Sequence, residues 1–333
     1  MITQETRLNP PRGEANLELA LRNKILLDIT SKVLGEEPLL LGQVAQLRER
    51  LSFTTLRERK TYGTVASVDA GSQVLPLASG RYGVACASVY VFPLGDRFFL
   101  EPVSLFEPSG LGRGFKALVD LRRECLLLET ALEFLGGGGE VEALLLDGPL
   151  TLDQWPRRSL DVEGFLRLRS RLGQLVDLCE ELGIPLAGVV KRPSGRQLQR
   201  ALGLEGSYSD AYLLSLAMSA GEATEPFPLG GGSGLGFAVY SAYLRLSRRW
   251  DAPPVRLDVP QWCLDQMGGL SDYCYYYALD SGLPLPIVKA DEATKISDGF
   301  MAQVYGEALS RVASESGRVS LLTPFWGERS WLT

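Results

Sequence analysis

Leu17, Leu19, Leu21, Ile25, Leu26 and Ile29 recur at helical spacing, and Val44, Leu47 and Leu51 do so again with charges between them. The pattern predicts two helices over 16–60. The character of the chain then changes. TVASVD (Thr64–Asp69), GVACASVYVF (Gly83–Phe92) and RFFLEPVSLF (Arg97–Phe106) are β-branched and aromatic runs separated by short Gly-containing turns, which predicts a three-strand meander. Phe115–Leu135 is helical in pattern and stops at Gly136–Gly139. Val141–Leu146 is a continuous apolar run closed by Asp147-Gly148-Pro149, as in a strand buried on both faces. A helix over Val162–Leu182, a second buried strand over Ile184–Val190, and helices near Arg196–Leu202 and Asp210–Ala220 follow. Pro226–Gly236 reads as a loop. Phe237–Leu246 and Val255–Val259 read as two more strands, and Tyr273–Asp280 and Asp291–Ala313 as helices.

The order β-β-β-α-β-α-β-α predicts an α/β fold in which three antiparallel strands lead into parallel ones through helical crossovers. That is the order of a ribonuclease H-like core, here with helical additions at both ends. There is no internal repeat and no domain linker, so the expected organisation is a helical extension over 1–60 and one compact body over 61–333.

Composition removes whole reaction classes. The 333 residues include no His, and Ser-His-Asp triads, Cys-His dyads, HExxH peptidases and zinc deaminases all need an imidazole. The five Cys show no CxxC spacing and are expected as buried thiols in a reducing compartment. No signal peptide or membrane span is expected, and the predicted location is cytoplasmic. The net charge of −6 argues against a general nucleic-acid coat but leaves room for a local basic channel.

The chemistry that remains belongs to carboxylates. Asp69 in SVDAGSQ and Asp147 in LLLDGPL each close an apolar strand and precede a small residue. In a β-β-β-α-β core the first and fourth strands are neighbours, so the two carboxylates meet at one edge. There they repel unless a cation lies between them. An oxygen-only donor set suits Mn²⁺ or Mg²⁺. Taken singly, an Asp-Gly is a turn signal; the pair is what points to a metal. Glu124 and Glu129 lie on the intervening helix and either can supply a third carboxylate. Glu129, flanked by apolar residues and nearer the helix end facing Asp147's strand, is the one expected. Lys191 ends the fifth strand (GVVKRPSG) with Arg192 beside it, placed to hold a scissile phosphate or simply to face solvent. Asp210 in SYSDAYLL stands at a helix start, where N-capping by Ser209 or Asp210 is the first reading. The glycines of Gly110–Gly114 have the wrong spacing for a dinucleotide loop, and GGGSGLG has no Lys behind it. The tyrosines at 273 and 275–277 read as a packed helix face. The arginines at 157, 158, 167, 169 and 171 fall on more than one face and read as solvated.

Taken together and in this order, VDAGSQ, the Glu-bearing helix, LLLDGPL, GVVKR, SDAYLL, AYLRL…PPVRLDVP and PLPIVKADEATKIS resemble the NurA nuclease family over roughly residues 60–300. The resemblance implies a Mn²⁺-dependent DNA nuclease with endonuclease and 5′-to-3′ exonuclease activity. It also implies a homodimer that works with the HerA hexameric ATPase in DNA end processing. By position, Asp69, Asp147 and Glu129 or Glu124 resemble the family's metal-binding carboxylates, and Lys191 falls on its lysine motif. Asp210 falls on an aspartate motif, which adds it to the expected metal ligands. Ser72, Lys191, Arg192, Tyr243 and Arg256 are the residues expected at the substrate. Two positions depart from the family pattern. Asp291 stands where a His is common, so it is expected as a metal ligand without the chemistry of an imidazole, and Asp258 stands where Glu is usual. Two other readings compete: an actin/sugar-kinase-type phosphotransferase, through the Asp69–Ser72 hairpin, and a non-catalytic DNA-guiding ring with a weakened site.

Overall fold

The computed structural model describes residues 17–77, 79–108, 114–152, 161–229 and 235–318. Helix α1 (Leu17–Arg50) leads into the short strand β1 (Phe53–Thr55). Strands β2 (Val65–Leu77), β3 (Gly80–Phe92), β4 (Asp96–Phe99) and β5 (Val103–Pro108) follow. Then come α2 (Phe115–Gly136), β6 (Ala143–Asp147), α3 (Val162–Leu182), β7 (Leu186–Val190), α4 (Gln197–Ala201) and α5 (Asp210–Ala217). The remaining elements are β8 (Glu222–Thr224), β9 (Phe227–Pro228), β10 (Val239–Arg245), β11 (Val255–Pro260), α6 (Met267–Tyr276), α7 (Leu285–Thr294) and α8 (Asp298–Ser316).

The described strands form one mixed sheet in the order β1-β8-β10-β11-β7-β6-β2-β3-β4, with β5 added to β3 and β9 to β10. The apolar runs that become β6 and β7 lie at its centre, parallel to each other and to the start of β2. Alternate residues divide between two cores. Leu144 and Leu146 face α2, α3 and α5, and Ala143 and Leu145 face α6 and α7. The mixed α/β architecture and the pairing of first and fourth strands agree with expectation.

Four elements differ from the sequence reading. The two N-terminal helices are one helix of 34 residues with Pro38 inside it. Only Val44 and Leu47 of its hydrophobic positions are buried, so the two stripes are not two separately packed helices. The third meander strand is split: β4 pairs with Ser88–Val91 and β5 with Gly80–Ala85. Pro102 lies between them and cannot donate to a ladder. β2 does not end at Asp69 but runs on to Leu77, paired with β3 alone. The C-terminal helix is two helices, because α7 starts at Leu285 and stops at Thr294, and the Ser297 side chain accepts from Phe300 N to cap a new start. Residues 109–113, 157–158 and 230–234, which carry parts of three motifs set aside above, lie outside the described residues.

Candidate metal centre

The parallel pairing of β2 with β6 ends at Val68 opposite Leu146. Asp69 and Asp147 are the next residue on each strand, so their side chains leave the same face at the same level. There the sheet opens, since β2 continues with β3 on one side only. Helix α7 lies across this opening and supplies Asp291. One carboxylate oxygen from each of Asp69, Asp147 and Asp291 lies within 4.8 Å of the other two.

The helix comes this close because residue 71 has no side chain. A Cβ at Gly71 would lie 2.0 Å from the Thr294 carbonyl oxygen. Thr294 in turn donates its hydroxyl to Asp69 Oδ2 at 2.9 Å, and Cys86 Sγ donates to the Thr294 carbonyl at 3.4 Å. Thr294 holds one carboxylate while its helix delivers another. No spacing in the sequence marks it, because the contact spans 225 residues. Gly71→Ala is expected to push α7 outward. The cost should be about 1–3 kcal/mol of stability, as for other overpacked contacts, with a larger proportional loss of divalent-metal affinity because Asp291 moves with the helix. Chemical denaturation and Mn²⁺ titration of the same variant test both parts.

Lys191, one residue beyond β7, places Nζ 2.6 Å from Asp147 Oδ2 and 2.5 Å from Asp291 Oδ1. It occupies the position of a counter-cation among three carboxylates. Burial alone would depress its pKa, but the charges of Asp147 and Asp291 outweigh burial and raise it. Asp147 is pushed from 3.8 up to about 7, by burial first and then by the charge of Asp69, with Lys191 opposing. A divalent cation must displace that proton. Affinity for Mn²⁺ should therefore be full above pH 7 and fall below it, by up to about tenfold per pH unit where one proton is exchanged. Calorimetric titrations at pH 8 and pH 5.5 should differ accordingly.

The two glutamates of α2 lie in different surroundings, and neither is among the three carboxylates that meet at α7. Glu129 Oε1 accepts from Arg167 Nε at 2.7 Å and Arg171 Nε at 3.3 Å, in a surface cleft beside Leu132 and Gln174. Glu124 lines a crevice with Leu146, Asp147, Gly148 and Pro149. Burial raises its pKa against the opposing pull of its ion-pair partner Arg123, and the nearby charge of Asp69 raises it further. Helix geometry accounts for the separation. Five residues advance the side chain by about 500°, which leaves the two glutamates roughly 140° apart around the axis.

Several residues expected at the metal or the substrate are committed elsewhere. Asp210 is fully buried and accepts from Leu198 N, Gln199 N, Gln199 Nε2 and the Tyr243 hydroxyl at 2.8–3.2 Å. It satisfies the first N–H groups of α4 and has no part in the aspartate cluster, while Ser209 is the side-chain cap of α5. Tyr243 is sealed in the core through that bond. Arg256 is buried in a bidentate pair with Asp258 at 2.8 and 2.9 Å, and Asp258 also accepts from Ser241 Oγ and Leu150 N. These four residues tie β10, β11 and the segment after β6 together. Ser72 donates to Asp120 Oδ1 at 3.2 Å, one turn before Glu124 on α2. Arg192 is exposed beside Lys191.

Oxygen donors alone, closely spaced and partly buried, fit a hard divalent cation such as Mn²⁺ or Mg²⁺. Asp69, Asp147 and Asp291 would hold it, with Glu124 adjacent.

Comparison with known proteins bears on the family and the fold. The family model described as NurA domain matches residues 63–296. The crystal structure of the NurA nuclease from Sulfolobus solfataricus superposes with a TM-score of 0.64 at 16 % identity, covering 88 % of this chain and 97 % of that one. NurA bound to dAMP and manganese superposes with a TM-score of 0.54 at 13 % identity, over 86 % of this chain and 94 % of the other. NurA with manganese gives 0.54 at 13 % identity, over 91 % and 99 %. No curated protein matches in sequence.

Proposed function

We propose that this chain, which belongs to the NurA family, hydrolyses phosphodiester bonds of DNA at the aspartate cluster, cutting internally and from 5′ ends. The family's manganese-bound structures and the acidic cluster together support a divalent-metal nuclease. The observation that carries the reading is the meeting of Asp69, Asp147 and Asp291 around the Lys191 ammonium at an open sheet edge. The β2–β7 segment, antiparallel strands followed by parallel ones, is read as a ribonuclease H-like core within a nuclease body over 61–333, and α1 as part of an N-terminal extension.

A bound divalent ion supplies charge for the phosphoryl oxygens and lowers the pKa of a coordinated water. The chain's own residues do the rest. Thr294 fixes the rotamer of Asp69, and α7 sets the position of Asp291. Lys191 balances the carboxylates before the metal arrives and then has an ammonium free for the scissile phosphate. Arg192 offers a second cation beside it. Glu124 stands where a water near Asp147 can be oriented.

The protein is further read as a homodimer that works with a HerA-type ATPase in DNA end processing in the cytoplasm. Among the described residues no helix is long and apolar enough to cross a membrane. Helix α1 leaves Leu19, Leu21, Ile25, Leu26, Ile29 and Val33 exposed, a surface that a second copy would cover. Family membership and the absence of a second β2–β5-like meander among the described residues leave the sugar-kinase alternative without support. The inclusion of Asp291 in the cluster weighs against a non-catalytic ring.

The test is cleavage of end-labelled single- and double-stranded DNA with Mn²⁺, Mg²⁺ or EDTA, with light scattering on the same sample. Metal-dependent cleavage by a dimer is expected. An intact, folded protein that cuts in no metal, even with the partner ATPase present, would sink the enzymatic reading.

A further inference from the structure

Near the aspartate cluster, a groove of about 1070 Å³ runs between the ends of β7 and β11 and helix α4. Arg192, Arg196, Arg200 and Arg256 line it, and no Asp or Glu does so among the described residues. In a chain of net charge −6 this is a marked segregation of charge. The arginines are not equivalent. Arg256 is neutralised by Asp258 at the groove floor. Arg196 donates to the uncharged carbonyl of Gly206 and keeps its full charge. Arg192 and Arg200 are exposed and have no ion-pair partner among the described residues. Arg196 and Arg200 stand one turn apart, linked by the Arg200 N to Arg196 O bond, so their guanidinium groups follow one wall of the groove.

The groove is continuous with the chemistry. Pro149 and Thr151 line both this groove and the crevice that holds Glu124 and Asp147. The two cavities therefore adjoin at the segment that follows Asp147. Prolines 149, 193, 226 and 228 stiffen the remaining walls.

We propose that this groove is the track for the phosphates of a single DNA strand on one side of the bond held at the aspartate cluster. The proposal rests on the nuclease reading above and extends it to Arg196 and Arg200, which no motif singled out. A concave cleft lined by uncompensated cations suits one flexible backbone, which can follow it, better than a rigid duplex.

The test measures anisotropy of a fluorescein-labelled oligothymidylate against salt, in EDTA so that nothing is cut. Wild type is compared with Arg196→Ala/Arg200→Ala and with Arg311→Ala/Arg318→Ala, which removes equal charge from α8 and its end. Losing two phosphate contacts should lower the slope of log K against log salt by about 1.4, at ~0.7 per contact for a single strand. It should weaken binding at least tenfold, while the α8 variant keeps the wild-type slope. Arg196→Lys/Arg200→Lys should recover most of the slope, since the charge is retained. Equal slopes for wild type and the groove variant, or an equal loss in the α8 variant, would overturn the track. Cleavage in Mn²⁺ separates the two claims. Normal cleavage with an unchanged slope defeats the track alone. An altered slope in a protein that never cuts defeats the nuclease reading and leaves the track standing.

Discussion

Asp147→Asn is expected to remove metal-dependent cleavage by at least ~10³-fold, equivalent to about 4 kcal/mol of transition-state stabilisation, while leaving the metal-free protein no less stable. The two halves have one cause. Asp147 is held up to about 7 in the folded chain against an ordinary 3.8, through burial and the charge of Asp69. Between these values the folded state holds more protons than the unfolded state, so stability falls as pH rises through that window. At pH 8 in EDTA the native chain bears the full cost of an unwelcome charge. Asparagine removes that charge, and Lys191 still has Asp291 as a partner. Thermal unfolding in EDTA should show no loss at pH 8. Added Mn²⁺ should raise the wild-type Tm more at pH 8 than at pH 5.5 and move the variant much less. Asp69→Asn should lose cleavage as well, but it also breaks the bond from Thr294 and should cost stability. A buried carboxylate kept only for packing would give the reverse pattern for Asp147→Asn, with lower Tm and cleavage intact.

That pattern was legible in the chain because both aspartates end the parallel pairing of apolar strands, a feature that periodicity and strand order reveal. Lys191 was legible for the same reason, lying one residue past the neighbouring parallel strand. Residues whose role depends on a helix's rotation or on contacts far along the chain were not. Asp291 was named through family position rather than geometry, since its helix reads from the sequence as part of a longer one. Its placement depends on Gly71, whose missing Cβ admits the Thr294 carbonyl. Asp210, Tyr243 and Arg256 present a different case. They fall in family motifs, yet the structure commits them to internal hydrogen bonds that organise α4 and the β10–β11 hairpin. A motif can mark a scaffold as readily as a site, and burial with saturated donors separates the two. The capping reading of Asp210 needed only local chemistry and named the right kind of role. Its N–H donors prove to be those of α4, twelve residues back, instead of its own helix.

The choice between two glutamates on one helix yields the sharpest mutational contrast. Glu124→Gln should lower cleavage by about 10²–10³-fold, the scale of losing one preorganised polar group at a reacting centre. Glu129→Gln should leave cleavage within a fewfold of wild type and cost at most ~1 kcal/mol of stability, as expected for a partly exposed pair with Arg167 and Arg171. The helix surface forces the contrast. The turn that directs Glu124 into the crevice beside Asp147 carries Glu129 round toward α3, where two arginines already hold it. Gln keeps the size and one acceptor oxygen at either site, so the variants differ from wild type mainly in charge. At Glu124 that charge opposes Arg123 and adds to the field around Asp69. Glu124→Gln should therefore also weaken Mn²⁺ binding, and Glu129→Gln should not. Equal losses in both variants would mean that α2 acts through its packing. A large loss in Glu129→Gln alone would restore the glutamate that the sequence favoured and require α2 to rotate when substrate binds.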